Sequence, residues 1–239
     1  MNFVASERAW RTLSAQADFK VEKELSKGNI LIIAPHPDDE IFGCAGALLS
    51  AAKSAKVSIA TIFSGDKNPQ SPHSKTREEE SKETVRLLTN PEQIFFRQSD
   101  NSVPSNKIAK ELSELIKDND LIFLPSFSDA NIDHRQTVKV TIEALKMAQI
   151  KNINLKNISI WLYEIWSPLP YFNRLLELDW HEKEKAMTKF KSQLKDRNYI
   201  KAIKSLNEYR GEMYGLKNPA EAFFALPADL LVKLFKEKK

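Results

Sequence analysis

Between residues 30 and 163, short apolar runs alternate with longer amphipathic stretches. Residues 30–34 read as a strand and 41–53 as a helix. Residues 57–63 read as a strand, 76–88 as a helix, 93–97 as a strand and 107–117 as a helix. Residues 121–124, stopped by Pro125, read as a strand, then 133–149 as a helix and 158–163 as a strand. This alternation predicts βαβ units, hence a mostly parallel sheet with helices on both faces. Right-handed crossovers place the loop-bearing strand ends on one edge. After Ile165 the pattern turns to helices and loops, with 182–194 the clearest helix, so residues 166–239 read as a capping segment of the same domain. The expectation is one domain over residues 1–239, with 1–28 as an N-terminal extension.

The net charge of +4 is spread through mixed-sign stretches such as Arg77 to Glu83, the pattern of solvated helix faces. No basic stripe suggests a nucleic-acid partner. The single cysteine, Cys44, cannot form an internal disulfide, which fits a reducing, cytoplasmic setting. Residues 1–27 are polar, unlike a secretory signal. No apolar run approaches the roughly 20 residues needed to span a bilayer, so stable membrane insertion is not expected. A homo-oligomer is compatible with this composition.

The first strand runs directly into His36-Pro37-Asp38-Asp39-Glu40. In open α/β sheets, active sites lie at the carboxyl ends of strands. A second segment, Asn131-Ile132-Asp133-His134, follows the strand that ends near Leu124. Two strand ends thus deliver histidine and carboxylate to one edge. His36, Asp39 and His134 can converge on one divalent ion, the two-His, one-carboxylate set of catalytic zinc sites. Asp38 is placed as general base. Asp133 is placed to hold an imidazole in one tautomer. Taken singly, the acidic run also reads as helix capping, and each histidine as an ordinary loop or helix-start residue.

The run Ala34-x-His36-Pro37-Asp38-Asp39-Glu40, followed by Ile41-Phe42-Gly43-Cys44-Ala45-Gly46, resembles the opening motif of the LmbE/PIG-L-like zinc deacetylases. Asp133-His134-Arg135 resembles the end of that family's second motif. Arg77 with Glu80, Asp100, Ser192-Gln193-Leu194 and Ala220-Glu221-Ala222-Phe223 follow in the family's order. The resemblance implies a Rossmann-like α/β fold and hydrolysis of an N-acetyl group from an amino sugar of a glycoconjugate or small glycoside. It implies His36, Asp39 and His134 as ligands of Zn2+ (or another divalent transition metal), Asp38 as base, and Arg77 and Asp100 as sugar contacts. Hydrolysis of another N-acyl or ester substrate, or a non-catalytic carbohydrate-binding role, are the alternatives.

The second motif departs from the family at its first position, where Asn131 stands in place of histidine. An amide can donate to an oxyanion but cannot shuttle a proton. The expectation is that Asp38 serves as base and then as acid, with His73 and His181 as other candidate donors. Glu164, after the last strand, is a candidate for a sugar hydroxyl. Trp161, Tyr163, Trp166, Tyr171 and Trp180 are candidates for the pocket wall or for the core. Cys44 reads as core, and the role of Glu40 as ligand support or helix-dipole partner is open. The amphipathic segment 228–239 reads as a surface terminal helix.

Overall fold

The computed structural model describes residues 10–11, 18–25, 28–51, 55–195 and 197–235. Among them, eight strands form one sheet: β1 (Lys20–Glu22), β2 (Asn29–Ala34), β3 (Lys56–Phe63), β4 (Glu92–Gln98), β5 (Leu121–Pro125), β6 (Ser159–Tyr163), β7 (Arg174–Glu177) and β8 (Ala220–Pro227). Their order is β1-β7-β8-β6-β5-β2-β3-β4. Every neighbouring pair is parallel except the two made by β8, which runs antiparallel to both β6 and β7. The expected mostly parallel α/β fold is therefore the observed one.

The order positions the site. From β2 the chain moves outward through β3 and β4, then returns to the other side of β2 for β5 and β6. β2 and β5 are neighbours, with Ile30 opposite Leu121 and Ile32 opposite Phe123. Connections leave this pair in opposite directions, which opens a crevice at their carboxyl ends.

The period-2 alternation of β2 divides the core. Leu31 and Ile33 face one layer, with Leu112, Ile116, Val138 and Leu145. These come from α4 (Asn106–Ile116) and α5 (Ile132–Ile150). Ile30 and Ile32 face the other layer, with Ile41, Leu48 and Val85. That layer contains α1 (Asp39–Phe42), α2 (Ala45–Ala51) and α3 (Pro72–Leu88). Local chemistry sets the helix starts. Ser71 caps α3, with its hydroxyl accepting the Ser74 N–H and Pro72 in the first turn. The Asn131 side chain caps α5 by accepting the Asp133 N–H at 2.8 Å.

Several elements differ from the sequence expectation. The helix expected over 41–53 is broken into α1 and α2, and residues 52 and 53 lie outside the described residues. The break falls at Gly43, where an added Cβ would sit 2.6 Å from the Tyr163 ring. The segment expected as helix 182–194 divides into α6 (Trp180–Met187) and α7 (Lys191–Leu194), ahead of α8 (Tyr199–Met213). Residues 166–239 do more than cap the sheet, since they supply β7 and β8. Strand β8 is buried on both faces, so it shows no alternation, and Glu221 within it masks its apolar character. Of the terminal segment 228–239, α9 (Ala228–Leu234) seats Leu231 and Val232 in the core, and 236–239 lie outside the described residues. Most of the N-terminal extension also lies outside them. Among the described residues, no helix is long and apolar enough to cross a membrane.

Candidate active site

A cleft of about 250 Å³ opens at the carboxyl ends of β2 and β5. His36, Asp38 and Asp39 reach it from the turn after β2, and Asn131 and Asp133 from the start of α5. Arg77 comes from α3 and Asp100 from the loop after β4. A larger groove of about 870 Å³, between α4, α5 and Phe235, contains no histidine or aspartate.

His36, Asp39 and His134 are buried, and one ligand atom from each lies within 4.8 Å of the others. The two imidazole centroids are 5.5 Å apart. Asp39 Oδ2 is the common neighbour, 3.3 Å from His36 Nδ1 and 3.2 Å from His134 Nε2. It also accepts the His36 backbone N–H at 2.9 Å. Asp133 Oδ2 is 3.2 Å from His36 Nε2. Both ring nitrogens of His36 thus face a carboxylate, and with a metal on Nδ1 it is Nε2 that would carry the proton Asp133 accepts. Asp133 thus serves His36, not its chain neighbour His134. The carboxylate behind His134 belongs to Asp129, whose Oδ2 is 3.5 Å from Nδ1. Both His134 ring nitrogens are fully buried, yet neither makes a well-angled hydrogen bond. Buried polar atoms are seldom left so. Two imidazoles and one carboxylate, with the His134 nitrogens left without a hydrogen bond, fit a divalent transition metal.

The electrostatics agree. Burial pulls the His134 pKa down, but Asp39 and Asp129 outweigh it and push it up to about 10. Burial opposes the charge on Asp39, yet the two imidazoles hold its carboxyl well below the usual range. Asp38 goes the other way. Burial raises its pKa to about 6, against the pull of Arg77.

Of the other expected site residues, Arg77 donates from Nη2 to Asp38 Oδ2 at 2.8 Å and from Nη1 to the Gly65 carbonyl at 3.1 Å. Asp100 Oδ1 accepts the Gly65 N–H at 2.9 Å. Glu164 does not line the cleft. Its carboxylate is taken up by Arg210, at 3.1 and 2.7 Å, and by the Leu169 N–H at 2.6 Å. The buried Arg210, which sequence alone does not place there, holds the carboxylate in this pairing. His73 and His181 are exposed and outside the cleft. Among the aromatic candidates only Trp166 lines it. Trp161 and Tyr163 are in the core, the latter donating to the Ile33 carbonyl at 2.9 Å. Trp180 donates to Glu184, and Tyr171 lies near Trp10. Cys44 is fully buried in the core.

Sequence reasoning missed Asp129, Phe42, Asn101, Ile165, Gln193 and Tyr199. Asp129 carried a usable signal, a carboxylate in the loop after β5 that also accepts the Asn131 N–H at 2.8 Å. Gln193 stands in a motif already singled out. Its neighbour Ser192 is held by Glu80 of α3, through its N–H at 2.9 Å and its hydroxyl at 2.6 Å.

Several solved structures share the fold, among them the following three. N,N'-diacetylchitobiose deacetylase from Pyrococcus horikoshii is 21% identical, with a TM-score of 0.74 over 95% of this chain and 94% of its own. GalB, the 4-carboxy-2-hydroxymuconate hydratase of Pseudomonas putida, is 16% identical, with a TM-score of 0.68 over 84% of this chain and 96% of its own. The zinc-inhibited form of teicoplanin deacetylase Orf2 is 17% identical, with a TM-score of 0.60 over 84% of this chain and 99% of its own. Identities this low carry the fold alone, and the hydratase shows that the fold admits another chemistry. No curated protein sequence matches the chain. The family model described as PIG-L: GlcNAc-PI de-N-acetylase matches residues 31–145. The stretch that delivers both histidines and the acidic residues around them to the cleft is thus a match to the PIG-L, or LmbE-like, family.

Proposed function

We propose that the protein is a metal-dependent amide hydrolase that removes an N-acetyl group from an amino sugar. The observation that carries this reading is the convergence of His36, Asp39 and His134 beside a buried carboxylate, Asp38, within one small cleft. Those three residues would hold Zn2+, which would supply Lewis acidity toward an amide carbonyl and toward water. The family match over residues 31–145 supports an N-deacetylase activity.

The chain's own residues take the remaining roles. Asp38, with its pKa raised to about 6, is ionised near neutral pH and takes a proton from the attacking water. It can return that proton to the leaving amine. Asn131 uses its side-chain oxygen to cap α5, which leaves its NH2 as the group that can donate to an oxyanion. Asp133 and Asp129 hold the two imidazoles. Asp100 commits Oδ1 to Gly65, while its Oδ2 lies 3.8 Å from His36 Nε2 and keeps room to accept a sugar hydroxyl. Phe42, Ile165, Trp166 and Tyr199 add apolar and aromatic surface to the same cleft, a match to the two kinds of surface on a pyranose. We read the chain as one domain and the reaction as cytoplasmic.

The test is acetate release from a panel of N-acetylglucosaminides by protein reconstituted with Zn2+. Release that is lost in Asp38→Asn supports the proposal. Cleavage of esters without amides moves the substrate class, and sugar binding without turnover makes the protein a carbohydrate-binding relative.

A further inference from the structure

Asp38 is held in a conformation its backbone would not choose. Its φ is 148° and its ψ −28°. A non-glycine residue persists there only when its surroundings over-determine it. It stands at the N-cap of α1, where an aspartate normally turns its carboxylate onto the helix N–H groups. Here that bond is absent. The carboxylate lines the cleft instead, paired with Arg77.

The restraint comes from Glu40. Its Oε2 accepts the Asp38 backbone N–H at 3.0 Å, and its Oε1 accepts the Ser81 hydroxyl at 2.6 Å. Ser81 also accepts from Gln93 Nε2 of β4 at 3.1 Å. Arg77 and Ser81 are four residues apart, on one face of α3. That face grips Asp38 twice, directly at its carboxylate and through Glu40 at its backbone. Glu40 is fully buried and absent from the cleft wall, so it does not touch substrate. Its bonds run back to the residue before the helix and across to α3. A helix-dipole role would not require Ser81 or Gln93.

We infer that Glu40, seated on Ser81, is a positioning residue that locks the strained Asp38 backbone, so that the carboxylate faces the cleft instead of capping α1. The inference rests on the reading of Asp38 as the base.

The test compares wild type, Glu40→Ala, Glu40→Gln and Ser81→Ala as zinc-reconstituted proteins, by crystal structure and by deacetylation kinetics. In Glu40→Ala, Asp38 is expected to leave its positive φ. Its kcat is expected to fall about 10- to 100-fold, with KM and zinc content held, as a misplaced catalytic group implies. Glu40→Gln retains an oxygen for the Asp38 N–H and most of the kcat. Ser81→Ala falls between, and it carries the test if Glu40→Ala does not fold. An unmoved Asp38 in the folded variants overturns the inference, whatever the kcat. If the wild type releases no acetate, the proposed function fails, while the position of Asp38 in Glu40→Ala still decides the role of Glu40.

Discussion

Arg77 Nη2 lies 2.8 Å from Asp38 Oδ2, although 39 residues separate them in the chain. The same guanidinium donates to the carbonyl of Gly65, whose N–H is held by Asp100. Gly65 has a φ of +76°, and a Cβ there would collide with the guanidinium. Gly65→Ala is therefore expected to displace Arg77 from Asp38. Turnover should fall about 10- to 100-fold, because a small displacement at a reacting group is costly. Metal content measured alongside should be unchanged, and a full-rate Gly65→Ala would refute the linkage.

Asn131 caps α5 with its side-chain oxygen, and the proposed oxyanion contact would use its NH2, so the two roles can be separated. Asn131→Asp keeps an oxygen for the cap on α5 but loses the amide donor. Asn131→Ala loses both. Each variant should lower kcat by roughly 10²–10³-fold if the NH2 stabilises an oxyanion. Only the alanine variant should also lose about 1 kcal/mol of stability, as an N-cap deletion does. Thermal melts paired with steady-state kinetics distinguish the two effects.

Metal uptake should expel protons. Without metal, the folded pKa of His134 is about 10, against 6.5 for a free imidazole. The stabilisation from its protonated pairing with Asp39 and Asp129 is therefore fully present below pH 6.5 and is lost as the pH rises through 10. Zinc requires the neutral ring, so apparent affinity should climb between pH 6 and pH 9. Calorimetric titration in two buffers of different ionisation enthalpy reads the protons released. A buffer-independent heat would contradict the assignment of His134 as a ligand.

Asp129 and Asp133 each stand behind one imidazole. Asp129→Asn and Asp133→Asn should each weaken zinc binding about 10- to 100-fold, the usual effect of losing a carboxylate that orients a ligating histidine. Competition with a chromophoric chelator measures this directly. Unchanged affinity in both would remove them from the metal's support.

Lys183 is completely buried, with its ammonium 2.7 Å from Glu221 Oε1 and 3.0 Å from Asn207 Oδ1. Lys183→Met leaves the Glu221 charge buried without its counter-ion. A loss of about 3–5 kcal/mol is expected by chemical denaturation.

The parallel core and the convergence of His36 with His134 were legible because each depends on local pattern. An Ile-rich run marks β2, and a histidine-carboxylate cluster follows it. The partners of those residues were not legible. Asp133 adjoins His134 in sequence but serves His36, because side chains in the first turn of a helix point in different directions. Glu164 was expected in the cleft, but Arg210, 46 residues away, captures it. Strand β8 was hidden because burial on both faces removes alternation, and because its Glu221 is neutralised by a lysine from another element. In each case the missing information was a long-range pairing.

The insertion of β8 between β6 and β7 also sets an order of events for a chain made from its N-terminus. Until residues 220–227 have been synthesised, β6 is left with an unsatisfied backbone edge, and β7 with β1 has no sheet to join. Glu221, which receives the Gly46 N–H at 3.0 Å across 175 residues, is equally late. The helix that follows the histidine motif is thus fastened by residues made long after it, and a nascent chain must carry an adhesive strand edge until then.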